Sequence, residues 1–443
     1  MRRILLTALA MVSWSGPVWG QASAPPGNQA ELVKTLLERI DKLEKRVSDL
    51  EGKLACPSPP CEPTVRAARA LEGAVAAKQV AAVQNPAPMP EHEQRPPLAG
   101  EQSTFPSMQI RGFADVDFGA TDQPSNSNQP RTFSGFTLGQ FVLHISSPLS
   151  SKVSFFGETS FSAQAPGPTN LPPYKLDVER ALLRYDYNDI FKISFGKYHT
   201  PVNYWNTAYH HGLWLQTTIA RPEMIKFGGK FLPVHFIGVL GEGEVPSGPV
   251  GLNYQVGMGN GRSTDIARAG DFGDINNNRA YVVNLFSKPI HIPGFQIGTS
   301  VYGDEIASPT STLPRTQELI NSAHIVWIHE TPEFLAEFAN VRHFVPTTGQ
   351  TFNSQGYYIQ MAYRLPWFDK KWKPYYRFEH IHLPVGEPVF SPTNITNFEG
   401  STAGLRYDIT DFAALKAEYR NTQNGGAGQP RFNGVFLQSS FTF

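Results

Sequence analysis

From residue 107 onward the chain alternates apolar and polar residues in short segments, and the connections between the segments alternate in length. Sixteen segments read this way: 107–119, 133–146, 151–163, 175–188, 190–200, 230–242, 249–260, 278–288, 294–304, 318–330, 333–344, 353–365, 374–384, 397–409, 411–423 and 433–443. Gly228-Gly229 leaves room for a hairpin within 224–242, which makes the alternative count eighteen. Short connections such as Asn188-Asp189, Thr331-Pro332, Thr410-Asp411 and 147–150 alternate with long polar ones at 120–132, 164–174, 201–229, 261–277, 305–317, 345–352, 385–396 and 424–432. A period of two sends successive side chains to opposite faces of a strand. Short turns at one end and long loops at the other are the signature of an antiparallel barrel that crosses a membrane, whereas a soluble sandwich has no reason for it. The expected fold class is therefore all-β: a transmembrane antiparallel β-barrel over 107–443. An even strand count returns both of its ends to the short-turn side.

The last segment carries the same pattern. Val435, Leu437, Phe441 and Phe443 share one face, and Gln438, Ser440 and Thr442 the other. Aromatic residues flank several short turns: Tyr185, Tyr187 and Phe191; Tyr407 and Phe412; Tyr363, Trp367 and Trp372. Rings gathered at turns suit a girdle at a membrane interface. Composition agrees by exclusion. Thirty-eight basic residues balance thirty-eight acidic ones, which argues against a strongly basic nucleic-acid binder. No internal apolar run approaches the roughly 18–20 residues of a membrane helix.

The region before the barrel divides into three. Met1-Arg2-Arg3 followed by an apolar run from Ile4 to Trp14 and then small residues reads as a signal peptide over 1–22, with cleavage expected after Gly20, Ala22 or Ala24. Residues 31–54 form a heptad repeat that predicts a coiled coil. Val33, Ile40, Val47 and Leu54 take the a positions and Leu36, Leu43 and Leu50 the d positions. Arg39 and Arg46 at g are placed to meet Glu44 and Glu51 at e of a neighbouring chain. The chain is thus expected to be a homo-oligomer. The heptad residues lean towards two strands, and the barrel context towards three, which we favour. Residues 55–105 are a Pro- and Ala-rich linker. Its Cys56 and Cys61 are disulfide candidates, closing a loop within one chain or linking two.

Alternation also sorts the barrel's two faces. Ala181, Leu183, Tyr185, Ala403, Leu405, Leu415, Ala417 and Tyr419 are expected to face lipid. The opposite parity puts Arg111, Asp115, Asp117, Lys152, Glu158, Arg180, Arg184, Asp186, Lys192, Arg364, Arg377, Glu379, Arg406, Asp408, Lys416, Glu418 and Arg420 inside. Charges are costly against lipid and useful in a wet lumen, so this interior implies a channel. The third long connection is the richest in rings and histidine. Tyr204, Trp205, His210, His211 and Trp214 are candidates for a constriction folded into that channel. The adjacent pair His210-His211 lacks a carboxylate, and no metal or other cofactor is expected from it. No Gly-x-Ser-x-Gly stands in the chain and no Ser/His/acid set is evident, so no enzyme activity is expected. The other non-catalytic reading is a plugged barrel anchoring a tether that reaches the cell wall.

One stretch reads Val178-Glu179-Arg180-Ala181-Leu182-Leu183-Arg184-Tyr185, another Phe195-Gly196-Lys197-Tyr198-His199-Thr200-Pro201, and the chain ends at Phe443. Through these the barrel region resembles bacterial outer-membrane porins of the phosphate-selective porin O and P type. The resemblance implies a sixteen-stranded trimeric channel for ions and small hydrophilic solutes, with its third loop folded inside and inward arginines that attract anions. It also implies a Gram-negative outer membrane, with the coiled coil in the periplasm. The terminal strand resembles the C-terminal assembly signal of such barrels, which implies recognition by the barrel assembly machinery.

Overall fold

In a computed structural model, the described residues are 105–122, 133–163, 174–209, 212–226, 231–262, 266, 278–306, 315–391 and 395–443. The expected signal peptide, coiled coil and cysteine pair lie outside them, as do the linker up to residue 104, His210 and His211.

Sixteen strands follow one another around a closed barrel, each hydrogen-bonded to its sequence neighbours. They are β1 (Gln109–Thr121), β2 (Phe133–Pro148), β3 (Val153–Ala163), β4 (Tyr174–Asp186), β5 (Lys192–His199), β6 (His235–Glu244), β7 (Leu252–Asn260), β8 (Ala280–Ser287), β9 (Phe295–Ile306), β10 (Thr316–Ile328), β11 (Glu333–Val345), β12 (Gln350–Ala362), β13 (Trp372–His382), β14 (Phe398–Thr410), β15 (Ala413–Asn424) and β16 (Arg431–Thr442). All adjacent pairs are antiparallel, including the closing pair β1–β16. The alternative count of eighteen is not realised. The stretch around 223–225 forms a single 3₁₀ turn, and β6 starts only at His235, so the third connection runs from 200 to 234. We call that connection L3. One expected long connection, 345–352, is a tight one between Val345 and Gln350.

The closing seam takes in the ring of Phe443. Phe443 and Gly112 exchange backbone bonds of 3.0 and 2.8 Å. The Phe443 ring lies against Gly112, where an added Cβ would meet its Cζ at 2.2 Å, and stacks on Phe141 at 5.8 Å. A larger residue at 112 would require the Phe443 ring to move.

The outer face is an apolar band. Leu183, Phe195, Val256, Ile297, Ile359, Leu415 and Leu437 are exposed, while the residues next to them, such as Arg184, Lys416 and Gln438, are buried inside. Tyr187, Phe191, Tyr363, Trp367 and Phe412 stand exposed at the short turns, as a membrane-facing girdle requires. Lys152 departs from the expected lumen set. It lies in the turn before β3, over the Tyr187 ring at 5.1 Å.

Candidate functional site

The described residues of L3 lie inside the barrel, and the hydrophobic cluster of buried residues runs through them: Val202, Tyr204, Trp205, Tyr209, Met224 and Ile225 are all covered. The sequence of the loop explains this. Its apolar residues would be exposed to water outside the barrel, and its aromatic side chains remove large areas from water when packed. It contains a short helical turn, α1 (Trp205–Ala208). Trp205 is fully buried, edge-on to Tyr209 at 4.9 Å and to Tyr358 of β12 at 5.8 Å.

The two stems of the loop are tied to each other. Thr200 N–H donates to Val234 O at 2.9 Å, and Asn206 Nδ2 donates to both Thr200 O and Val234 O at 2.9 and 3.0 Å. Beyond the stems, charged side chains of the wall hold the loop by its backbone. Glu337 of β11 accepts from the amides of Tyr204 and Trp205 at 2.9 and 2.6 Å. Arg377 of β13 donates to Ala220 O at 2.7 Å, Arg221 O at 3.1 Å and Thr218 Oγ1 at 3.0 Å. Arg406 of β14 donates to Trp214 O and Gln216 O at 2.8 and 3.0 Å. Lys416 of β15 reaches Leu213 O and Thr218 O. Glu418 accepts from Ile219 N–H at 2.5 Å, and Glu379 from Glu223 N–H at 2.5 Å. Thr217 donates to Glu333 of β11 at 2.8 Å, which Lys373 also contacts at 2.5 Å. Backbone groups packed against the wall lose partners in water, and these side chains replace them.

The residues expected to line the lumen therefore separate. Arg377, Arg406 and Lys416 are buried beneath L3. Arg180 pairs with Glu158 at 2.5 Å and covers the Phe156 ring. Arg184 bridges Asp186 and Glu242 at 2.5 and 2.9 Å. Arg364 sits in the turn after β12, joining Glu330 and Asp408. Arg420 pairs with Glu418 at 2.6 Å and stacks over Phe436 at 3.8 Å. Asp115 is buried facing inward over Gly139. Arg111 and Lys192 are different. Both stand at the short-turn end, at least partly exposed, and among the described residues neither makes an ion pair. Of the loop candidates, Tyr204, Trp205 and Trp214 are buried within L3. Between α1 and the wall of β4–β10 remains a cavity of about 330 Å³, lined by Arg180, Ser194, Glu242, Gln255, Asn284 and Gln296 among others.

Glu333 and Glu337, which hold the loop, and Lys373, which pairs with Glu333, are absent from the set read from the sequence. Parity was the available signal: Phe334, Ala336 and Phe338 alternate with Glu333, Leu335 and Glu337, so both carboxylates had to face inward.

No protein-family model matches the sequence, and no curated protein aligns with it. The fold, in contrast, is shared with solved outer-membrane barrels. An anion-selective porin from Comamonas acidovorans superposes with a TM-score of 0.56 at 8% identity, over 76% of this chain and 100% of that one. The outer membrane channel DcaP of Acinetobacter baumannii gives 0.53 at 12% identity, over 77% and 99%. Salmonella typhi OmpF, in a complex with daunomycin, gives 0.52 at 10% identity, over 76% and 97%. This chain thus has the sixteen-stranded barrel fold of outer-membrane porins.

Proposed function

We propose that the protein is an outer-membrane porin, a water-filled channel passing ions and small hydrophilic solutes down their gradients. The observation that carries this reading is the inward loop of a sixteen-stranded barrel, fastened so that it narrows the lumen. Pore width and wall charge then set selectivity. Tyr204, Trp205 and Trp214 give the constriction its rigid body, and His210 and His211 belong to the same loop. Selectivity is for anions, but weakly so. Six of the arginines have carboxylate neighbours or are taken up by the loop, leaving Arg111 and Lys192 to meet a solute at the short-turn mouth. Phosphate is one anion such a mouth would draw in. The working unit is a homotrimer in the bilayer, with its coiled coil in the periplasm and its terminal strand read by the assembly machinery. The heptads, the family resemblance and the aromatic final strand support these points.

The test is the reversal potential of the full-length protein in a planar bilayer across a salt gradient, followed by addition of phosphate. A potential favouring chloride, with phosphate reducing the current, is expected; a clear cation preference would refute the anion reading. A plugged anchor for the coiled coil is the second reading, favoured by how tightly L3 fills the barrel. It requires no conductance at all.

A further inference from the structure

His199 is the last residue of β5 and His235 the first of β6. They face each other across the strand pair, so everything between them is L3. A third residue joins them through a defect in the sheet. Pairing between β3 and β4 jumps from Glu158↔Arg180 to Thr159↔Val178, leaving Glu179 as an extra residue. Such bulges re-aim side chains. Here the bulge turns Glu179 into the barrel, where Ser160 Oγ donates to it at 2.7 Å.

One ligand atom from each of Glu179, His199 and His235 lies within 4.8 Å of the other two. His235 Nε2 is 2.7 Å from Glu179 Oε2, and the two imidazole rings are 5.8 Å apart. Nitrogen and oxygen ligands bound at about 2.0–2.2 Å to one tetrahedral zinc sit roughly 3.3 Å from each other. The observed spacings bracket that value, so small side-chain rotations bring all three onto one ion. The Ser160 hydroxyl orients the carboxylate in the way outer-shell partners do.

We propose that His199, His235 and Glu179 form a site for a divalent transition-metal ion that clamps the two stems of L3. Two imidazoles and one carboxylate suit zinc, nickel or copper, whereas magnesium and calcium take oxygen ligands. Three protein ligands leave a further position open to water. The ion competes with resident cations. Glu158 holds Arg180 and lies 3.7 Å from His199, and Arg221 is near enough to Glu158 and Glu179 to feel both charges. Metal binding therefore redistributes these carboxylates, drawing Glu179 from the cations to the ion. The inference rests on the wall geometry, not on the channel reading.

The test is calorimetric titration of zinc into the metal-free, full-length protein, alongside proteolysis within 200–234. One zinc per chain is expected, with cleavage slowed when zinc is present and no response to magnesium. His199→Ala, His235→Ala and Glu179→Gln should each weaken binding by at least the roughly 10–100-fold that loss of an outer-shell partner costs. Glu179→Gln preserves shape, and heat-modifiable gel migration verifies its barrel, so a misfolded histidine variant does not leave the question open. Arg221→Gln should tighten binding. His210→Ala, His211→Ala and the pair Cys56→Ser and Cys61→Ser should leave it unchanged. The proposal is overturned if the intact protein binds no zinc, if Glu179→Gln retains full affinity, or if binding is lost only with His210, His211 or the cysteines.

Discussion

The two sides of the lumen use the same residue types for different work. On the wall formed by β11–β15, Glu337, Arg377, Arg406, Lys416 and Glu418 act as fasteners, each bonded to backbone of L3. On the wall formed by β4–β8, Glu242, Gln255 and Asn284 face the cavity and bond to one another across strands, and Arg184 pairs with Glu242. An inward charge in a barrel is thus no guarantee of a charge available to a solute. Where a loop covers the wall, the charge satisfies buried amides and carbonyls; where water covers it, the charge contributes to the pore field.

The comparison breaks most visibly at Glu337. Glu337→Ala leaves the amides of Tyr204 and Trp205 buried without an acceptor, a cost on the order of 2–5 kcal/mol. Urea unfolding should show that loss, and protease should enter L3 sooner. Glu242→Ala on the opposite wall should leave loop cleavage as it is; equal loosening by both variants would show that the walls do not differ. A smaller effect distinguishes fastening from field. Arg111→Ala with Lys192→Ala should move the reversal potential towards lower anion preference while changing stability by less than about 0.5 kcal/mol. Arg406→Met should do the reverse, lowering stability and leaving the reversal potential nearly fixed.

The smallest effect concerns the short-turn end beneath the fastening wall. Burial opposes the ionisation of Glu330, but Lys373 and Arg364 outweigh it and hold the carboxyl at about 2. A carboxylate lowered in this way stabilises the fold above its unfolded value, and the contribution fades as pH falls towards 2. Glu330→Gln should therefore lower the melting temperature at pH 7 and close the gap to the parent at the acid end. A constant gap across that range would mean the ion pairs contribute nothing.

Much of the fold was legible because alternation and connection length are strong signals in a barrel. Each of the sixteen strands falls close to its expected segment, since a one-residue slip would put Arg184 or Lys416 into lipid. The ends of L3 were less legible. Phe231, Leu232 and Val234 read as strand, yet they pack as loop inside the barrel. The inward orientation of the arginines could be read from parity, but not which ones L3 would cover. That depends on where a loop of mixed sequence comes to rest, and no local pattern encodes contacts such as Arg377 to Ala220. The cluster of Glu179, His199 and His235 was hidden for a related reason: a bulge in β4 breaks the very alternation used to assign faces.

The most direct test of the account is the single-channel conductance of the intact protein beside a variant lacking 203–215. The account predicts discrete open steps for the intact chain and a severalfold larger step for the variant, with the barrel still folded by heat-modifiable migration. Equal conductance in the two would contradict the role of L3 as the constriction, and silence from both would contradict the channel itself.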